Sequence, residues 1–155
     1  MITKRDSLIA LSAVCATLIA AVGIAALAQT RKPLMGSSVF DWNALEAKPT
    51  KVGARRDVFQ APTATLDDLE CHITTLNAGE VAHPPHQHPD EELVIVKEGT
   101  IEVHTGGLTK TVGPGSIIFH ASNQMHGMQN VGKTTATYYV LRWKSPGMLK
   151  DAAKE

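Results

Sequence analysis

The stretch Gly79-Glu80-Val81-Ala82-His83-Pro84-Pro85-His86-Gln87-His88-Pro89-Asp90-Glu91-Glu92-Leu93-Val94-Ile95-Val96-Lys97-Glu98-Gly99 decides how this chain is read. It places His86, His88 and Glu92 within seven residues, beside the apolar run Leu93–Val96. Neutral imidazoles and a carboxylate form a donor set suited to a divalent Fe, Mn, Ni, Cu or Zn ion. Residues two apart on a strand share a face, so His86 and His88 project together, and Glu92 has the same parity. Pro84 and Pro85 stiffen the approach, which limits the entropy lost when an ion is captured.

A fourth ligand has to come from elsewhere, and His72, His83, His104, His120 and His126 are the candidates by residue type. Glu91 is the competing carboxylate, because Asp90-Glu91-Glu92 otherwise reads as an exposed acidic corner. Around this stretch the chain is broken by Gly and Pro and is rich in β-branched residues, with no long amphipathic helical pattern after residue 50. Short strands are expected at Arg56–Gln60, Leu69–Leu76, Glu92–Lys97, Thr100–Thr105, Leu108–Val112, Ser116–Phe119, Gln124–Asn130 and Thr134–Trp143. Gly106-Gly107 is a hairpin turn rather than a phosphate cradle. Many short strands at this spacing predict an all-β sandwich or barrel over residues 52–144.

Here a family resemblance becomes specific. Gly79 to Gly99 resembles the first cupin motif: a Gly, His-x-His, a short gap, Glu and a closing Gly. Gly115, His126 and Asn130 resemble the second, with Ala121 where Pro is usual and Asn123 where Gly is usual. Asn is the non-glycine residue that best tolerates a left-handed turn. The resemblance covers Val52 to Trp143. It implies a small jelly-roll barrel with His86, His88, Glu92 and His126 on one divalent transition metal. It also places Asn130 on the inner face as support for the ligands. Small proteins of this type usually pair through sheet edges, so a homodimer is implied.

Three imidazoles and one carboxylate leave coordination positions open for a small-molecule substrate. The resemblance and this donor set lead to the expectation of a metal-dependent dioxygenase-type enzyme. The alternatives are a cupin isomerase or hydrolase using Mn or Zn, and a metal-assisted ligand-binding module without turnover. Ile73, Val94, Val96, Ile117, Phe119, Met125 and Met128 are the expected inner-face apolar residues, as core or pocket wall. Glu80, Glu98 and Glu102 are acid–base candidates by type alone, and ordinary solvated carboxylates are the favoured reading of each. His83 is a candidate for the pocket wall or for solvent, whereas His72, His104 and His120 are expected to be structural.

The ends differ in kind from the barrel. Lys4 and Arg5 precede an uncharged Leu8–Ala28 run, and Ala26-Leu27-Ala28 fits a small-x-small cleavage pattern. Residues 1–28 therefore read as a signal peptide for export to the periplasm or medium. The alternative is an uncleaved anchor over residues 8–28, the one route to a membrane association. Residues 29–51 are a linker and arm in which Phe40 and Trp42 are aromatic anchors, and residues 145–155 are a polar tail. The chain has 155 residues and a formal net charge of zero, so neither a polyanion partner nor nucleic acid is implied. Of its two cysteines, Cys15 lies in the exported segment and Cys71 in the barrel, where it is expected to be a buried, inert thiol.

Overall fold

The structure, a computed structural model, describes residues 32–146 and residue 148. The signal or anchor expected over residues 1–28, and nearly all of the polar tail, lie outside the described residues. Nine strands follow a short 3-10 turn at Trp42–Ala44: β1 (Lys48–Thr50), β2 (Gly53–Ala61), β3 (Asp68–Leu76), β4 (Glu91–Glu98), β5 (Ile101–Thr105), β6 (Leu108–Val112), β7 (Ile117–His120), β8 (His126–Asn130) and β9 (Ala136–Lys144). They form two antiparallel sheets, one in the order β1-β2-β3-β9-β4-β7 and one in the order β6-β5-β8. This is the expected all-β jelly roll.

The turns follow from local chemistry. Gly106 and Gly107 both have positive φ, +54° and +80°, and join β5 to β6 as a two-residue hairpin whose twist matches its strands. Asn123 is the one non-glycine residue with positive φ among the described residues, at +56°. It occupies the left-handed position that the resemblance reserves for glycine.

Alternation sets the core. The even positions of β3, β4, β7 and β9 face inward, and Leu76, Val94, Val96, Ile118, Tyr138 and Val140 pack there against Ile101 and Val103 of the second sheet. Ile73, expected on the inner face, is buried on the opposite one beside Cys71. The arm makes that outer face a buried one. Phe40 packs on Phe59 with ring centroids 5.2 Å apart, and Trp42 meets Tyr139 edge-on at 6.3 Å. The Trp42 ring also carries the Lys97 ammonium at 3.8 Å and the Arg56 guanidinium at 4.7 Å. Burial pushes the Cys71 thiol up, away from the reactive thiolate.

Two further expectations are corrected. The sheet begins inside the stretch expected as an arm, because Lys48–Thr50 folds back on Gly53–Arg55. Gly53 lets the start of β2 lie close against β3: a Cβ there would lie 2.0 Å from the Thr75 carbonyl oxygen. Ile117 and Phe119 are exposed rather than inward, since the register Val94↔Ile118 and Glu92↔His120 turns the odd residues of β7 outward, and Met125, just before β8, is exposed as well. No helix among the described residues is long and apolar enough to cross a membrane.

Candidate metal centre

Backbone pairing brings the ligand candidates together. His86 and His126 bond reciprocally, His86 N–H to His126 O at 3.0 Å and His126 N–H to His86 O at 2.9 Å, which ties the Pro84-Pro85-His86 approach to β8. Gly127 allows that approach, since Pro85 lies 3.3 Å from where its Cβ would be. The Asn123 N–H bonds to His88 O at 2.8 Å and closes the turn over the same end of the sandwich. One potential donor atom from each of His86, His88 and His126 lies within 4.8 Å of the other two.

The hydrogen bonds prepare these rings for an ion. His88 Nδ1–H donates to the Asp90 carbonyl at 2.9 Å, and His126 Nδ1–H donates to the Gln124 carbonyl at 2.8 Å. Each bond fixes the tautomer that leaves a lone pair on Nε2. Both Nε2 atoms are buried and have no partner, and so is His86 Nδ1. Unpartnered buried nitrogens are costly unless something meets them, and a divalent cation fits this neutral donor set. Burial, with His83, His126 and His88 alongside, lowers His86 to about 4, so its imidazole is neutral at pH 7.

Glu92 is buried on β4, with a carboxylate oxygen 3.6 Å from His88 Nε2. It borders the three-His group without being one of its members. The competing Glu91 faces the other way and accepts from Trp143 Nε1 at 3.0 Å.

Asn130 does not support the ligands as expected. Its amide donates to the carbonyls of Leu76, Asn77 and Thr134 and accepts from the Gly132 N–H, so it fastens the loops at the far end of β8. His104 bonds Thr109 and Glu102 at the surface, in keeping with a structural role.

His120 is fully buried and stacks on His126 at 4.2 Å, with its Nδ1 3.0 Å from Thr105 Oγ1 and its Nε2 unpartnered. Burial and the neighbouring imidazoles depress it to about 4, so it forms a neutral wall behind His126.

A cavity of about 320 Å³ adjoins the centre, with His86 and Glu92 on its wall. His83 lines it too, edge-on to His86 at 4.1 Å. The rest of its lining is more polar than the sequence suggested. Glu70, Arg142, Glu92 and His120 stand in one cross-strand row over β3, β9, β4 and β7. Glu70 meets Arg55 and Arg142, each at 2.8 Å, and His72 at 2.9 Å. The Arg142 contact is an ion pair off the hydrogen-bond optimum, which leaves Glu70 Oε2 without a hydrogen bond. None of Glu80, Glu98 and Glu102 lines this cavity. This charged wall was missed because its members come from strands far apart in sequence. The alternation Glu70-x-His72 was its only local sign.

A cupin domain model matches residues 72–142. No functionally curated protein matches the chain. Among solved structures, an RmlC-like cupin from Shewanella frigidimarina is 18% identical, with a TM-score of 0.57 over 71% of this chain and 94% of that one. The predicted oxalate decarboxylase from Thermotoga maritima is 14% identical, with a TM-score of 0.57 over 69% and 99%. The polyketide cyclase RemF from Streptomyces resistomycificus is 22% identical, with a TM-score of 0.57 over 72% and 82%. At these identities the likeness is one of fold.

Proposed function

This chain carries a cupin-superfamily domain, and on that premise we propose that it is a metal-dependent enzyme acting on a small organic molecule, with His86, His88, His126 and Glu92 as ligands. The observation that carries this reading is the set of buried, unpartnered imidazole nitrogens facing one another. A divalent ion held there supplies electrostatic polarisation of a substrate oxygen or, as iron, oxygen activation. The chain supplies the rest. Asp90 O and Gln124 O hold two ligand rings in the productive tautomer. Val140, Tyr138 and Met128 close the apolar side of the cavity, and Arg55, Glu70, His72 and Arg142 form its polar side.

Two reaction classes fit this arrangement. Dioxygenase-type oxidation follows from the open coordination of a three-His, one-Glu set. Redox-neutral chemistry, as in an isomerase or hydrolase using Mn or Zn, is favoured by the charged cavity wall, which suits a polar substrate and proton transfer. We further propose that the protein is exported and works outside the cytoplasm, a reading supported by the Leu8–Ala28 run.

The test loads the protein separately with Fe(II), Mn(II) and Zn(II) and follows oxygen uptake and substrate loss over a panel of aromatic, enediol and hydroxycarbonyl compounds. Oxygen uptake supports the dioxygenase class, and conversion without oxygen supports the redox-neutral class. Tight ligand binding with no turnover under any metal contradicts an enzyme and identifies a binding module.

A further inference from the structure

We propose that His72, oriented by Glu70, is the acid–base residue of the cavity, and that the substrate is a small α-hydroxycarbonyl compound spanning His72 and the three-His centre. This rests on the metal-centre reading above. The carboxylates Glu80, Glu98 and Glu102 that the sequence offers as acid–base candidates do not line the cavity. The pairing of β3 with β9 supplies a different candidate. Glu70, His72 and Thr74 face inward on alternate positions of β3, and all three line the cavity that His86 and Glu92 also line.

The dyad has a defined polarity. Glu70 is almost fully buried and held by two guanidiniums, Arg55 Nη2 on Oε1 and Arg142 Nη2 on Oε2. An ionised carboxylate only accepts, so the 2.9 Å contact makes His72 Nδ1 the donor. A neutral His72 then carries its lone pair on Nε2. This is the general arrangement of a base oriented by a third group. Arg55 and Arg142 already neutralise the Glu70 charge. The imidazole adds a proton acceptor that this charge pairing does not need.

The scale of the site fits a small substrate. Glu70 and Glu92 are two strands apart in one row, so their backbones are separated by about 10 Å. The cavity they share, about 320 Å³, has room for a small molecule. With the substrate oxygens directed to the metal side, His72 Nε2 takes the proton from the hydroxyl-bearing carbon. The C–H bond breaks, an N–H bond forms, and the C–H electron pair moves into the adjacent carbonyl to give an enediolate. The same N–H returns a proton to the neighbouring carbon, and the hydroxyl proton passes to the former carbonyl oxygen, so the product is the isomeric hydroxycarbonyl. No oxidant or reductant is consumed.

The experiment is solvent deuterium exchange, followed by proton NMR, into dihydroxyacetone and glyceraldehyde with metal-loaded full-length protein. Wild type is expected to exchange the carbon-bound proton. His72→Ala is expected to keep its metal and lose exchange by about 100-fold or more, with partial rescue by added imidazole. His72→Gln, which retains a polar side chain at the site, is expected to lose exchange equally. A merely structural role predicts no imidazole rescue. Metal-loaded wild type without exchange, or a His72→Ala protein exchanging at the wild-type rate, overturns the proposal. Exchange that depends on His72 in protein that binds no metal would instead remove the metal reading and leave the base assigned.

Discussion

Glu70 shows how a single side chain links stability to the site. The His72 hydrogen bond, together with the Arg142 and Arg55 charges, holds its carboxyl at about 2, below an ordinary 4.5. A carboxyl depressed on folding contributes stability that is complete above about pH 4.5 and is lost as pH falls through about 2. Urea midpoints measured on chelator-treated protein should therefore fall across that window. In Glu70→Gln the fall should be shallower, with lower stability at neutral pH by an amount on the order of 2 kcal/mol. An unchanged acid limb would show that Glu70 is not held by its neighbours. Asn130 carries the contrasting lesson. Its position on β8 was legible, but its partners are backbone carbonyls of loops that converge only in three dimensions.

At the scale of the elements, glycines mark where strands end and where backbones touch. Gly99 follows β4 at a φ of +88°, and a Cβ there would lie 2.4 Å from the Ala136 Cβ. Gly107 has a φ of +80° with open space around it. Gly99→Ala should therefore destabilise by about 2–4 kcal/mol and Gly107→Ala by only about 1–2 kcal/mol, both read from urea midpoints. Equal costs would show that the Ala136 contact yields. Most strands were legible because such glycines punctuate alternating runs: Leu108–Val112 was bounded as observed, and Leu69–Leu76 lacked only Asp68. β1 was not legible, because three residues, one of them Pro49, carry no periodicity. The inward face of β7 was not legible either. Ile117 and Phe119 look like core, and only their register against β4 turns them outward.

At the scale of the molecule, the two sheets hold a polar, metal-fit end and leave an apolar flank bare. Leu108 on β6, at the edge of one sheet, is 71% exposed, and Ile117 and Phe119 on β7, at the edge of the other, are 68% and 50% exposed. Edge strands with apolar side chains invite pairing, and a second copy of this chain is our proposal for what covers them. Light scattering should give a dimer for wild type and a monomer for Phe119→Asp, while a monomeric wild type at micromolar concentration would refute the pairing. The central claim is that His86, His88 and His126 hold one divalent ion, with Glu92 completing the set. The sequence carried all four positions through two spaced motifs, and the folded chain adds the Asp90 and Gln124 carbonyls that fix two of the rings. Metal analysis of protein purified from its native compartment tests this most directly. The expected result is about one equivalent of a transition metal per chain in wild type and near zero in His126→Ala, with unchanged circular dichroism. Equal metal content in the two proteins would contradict the assignment.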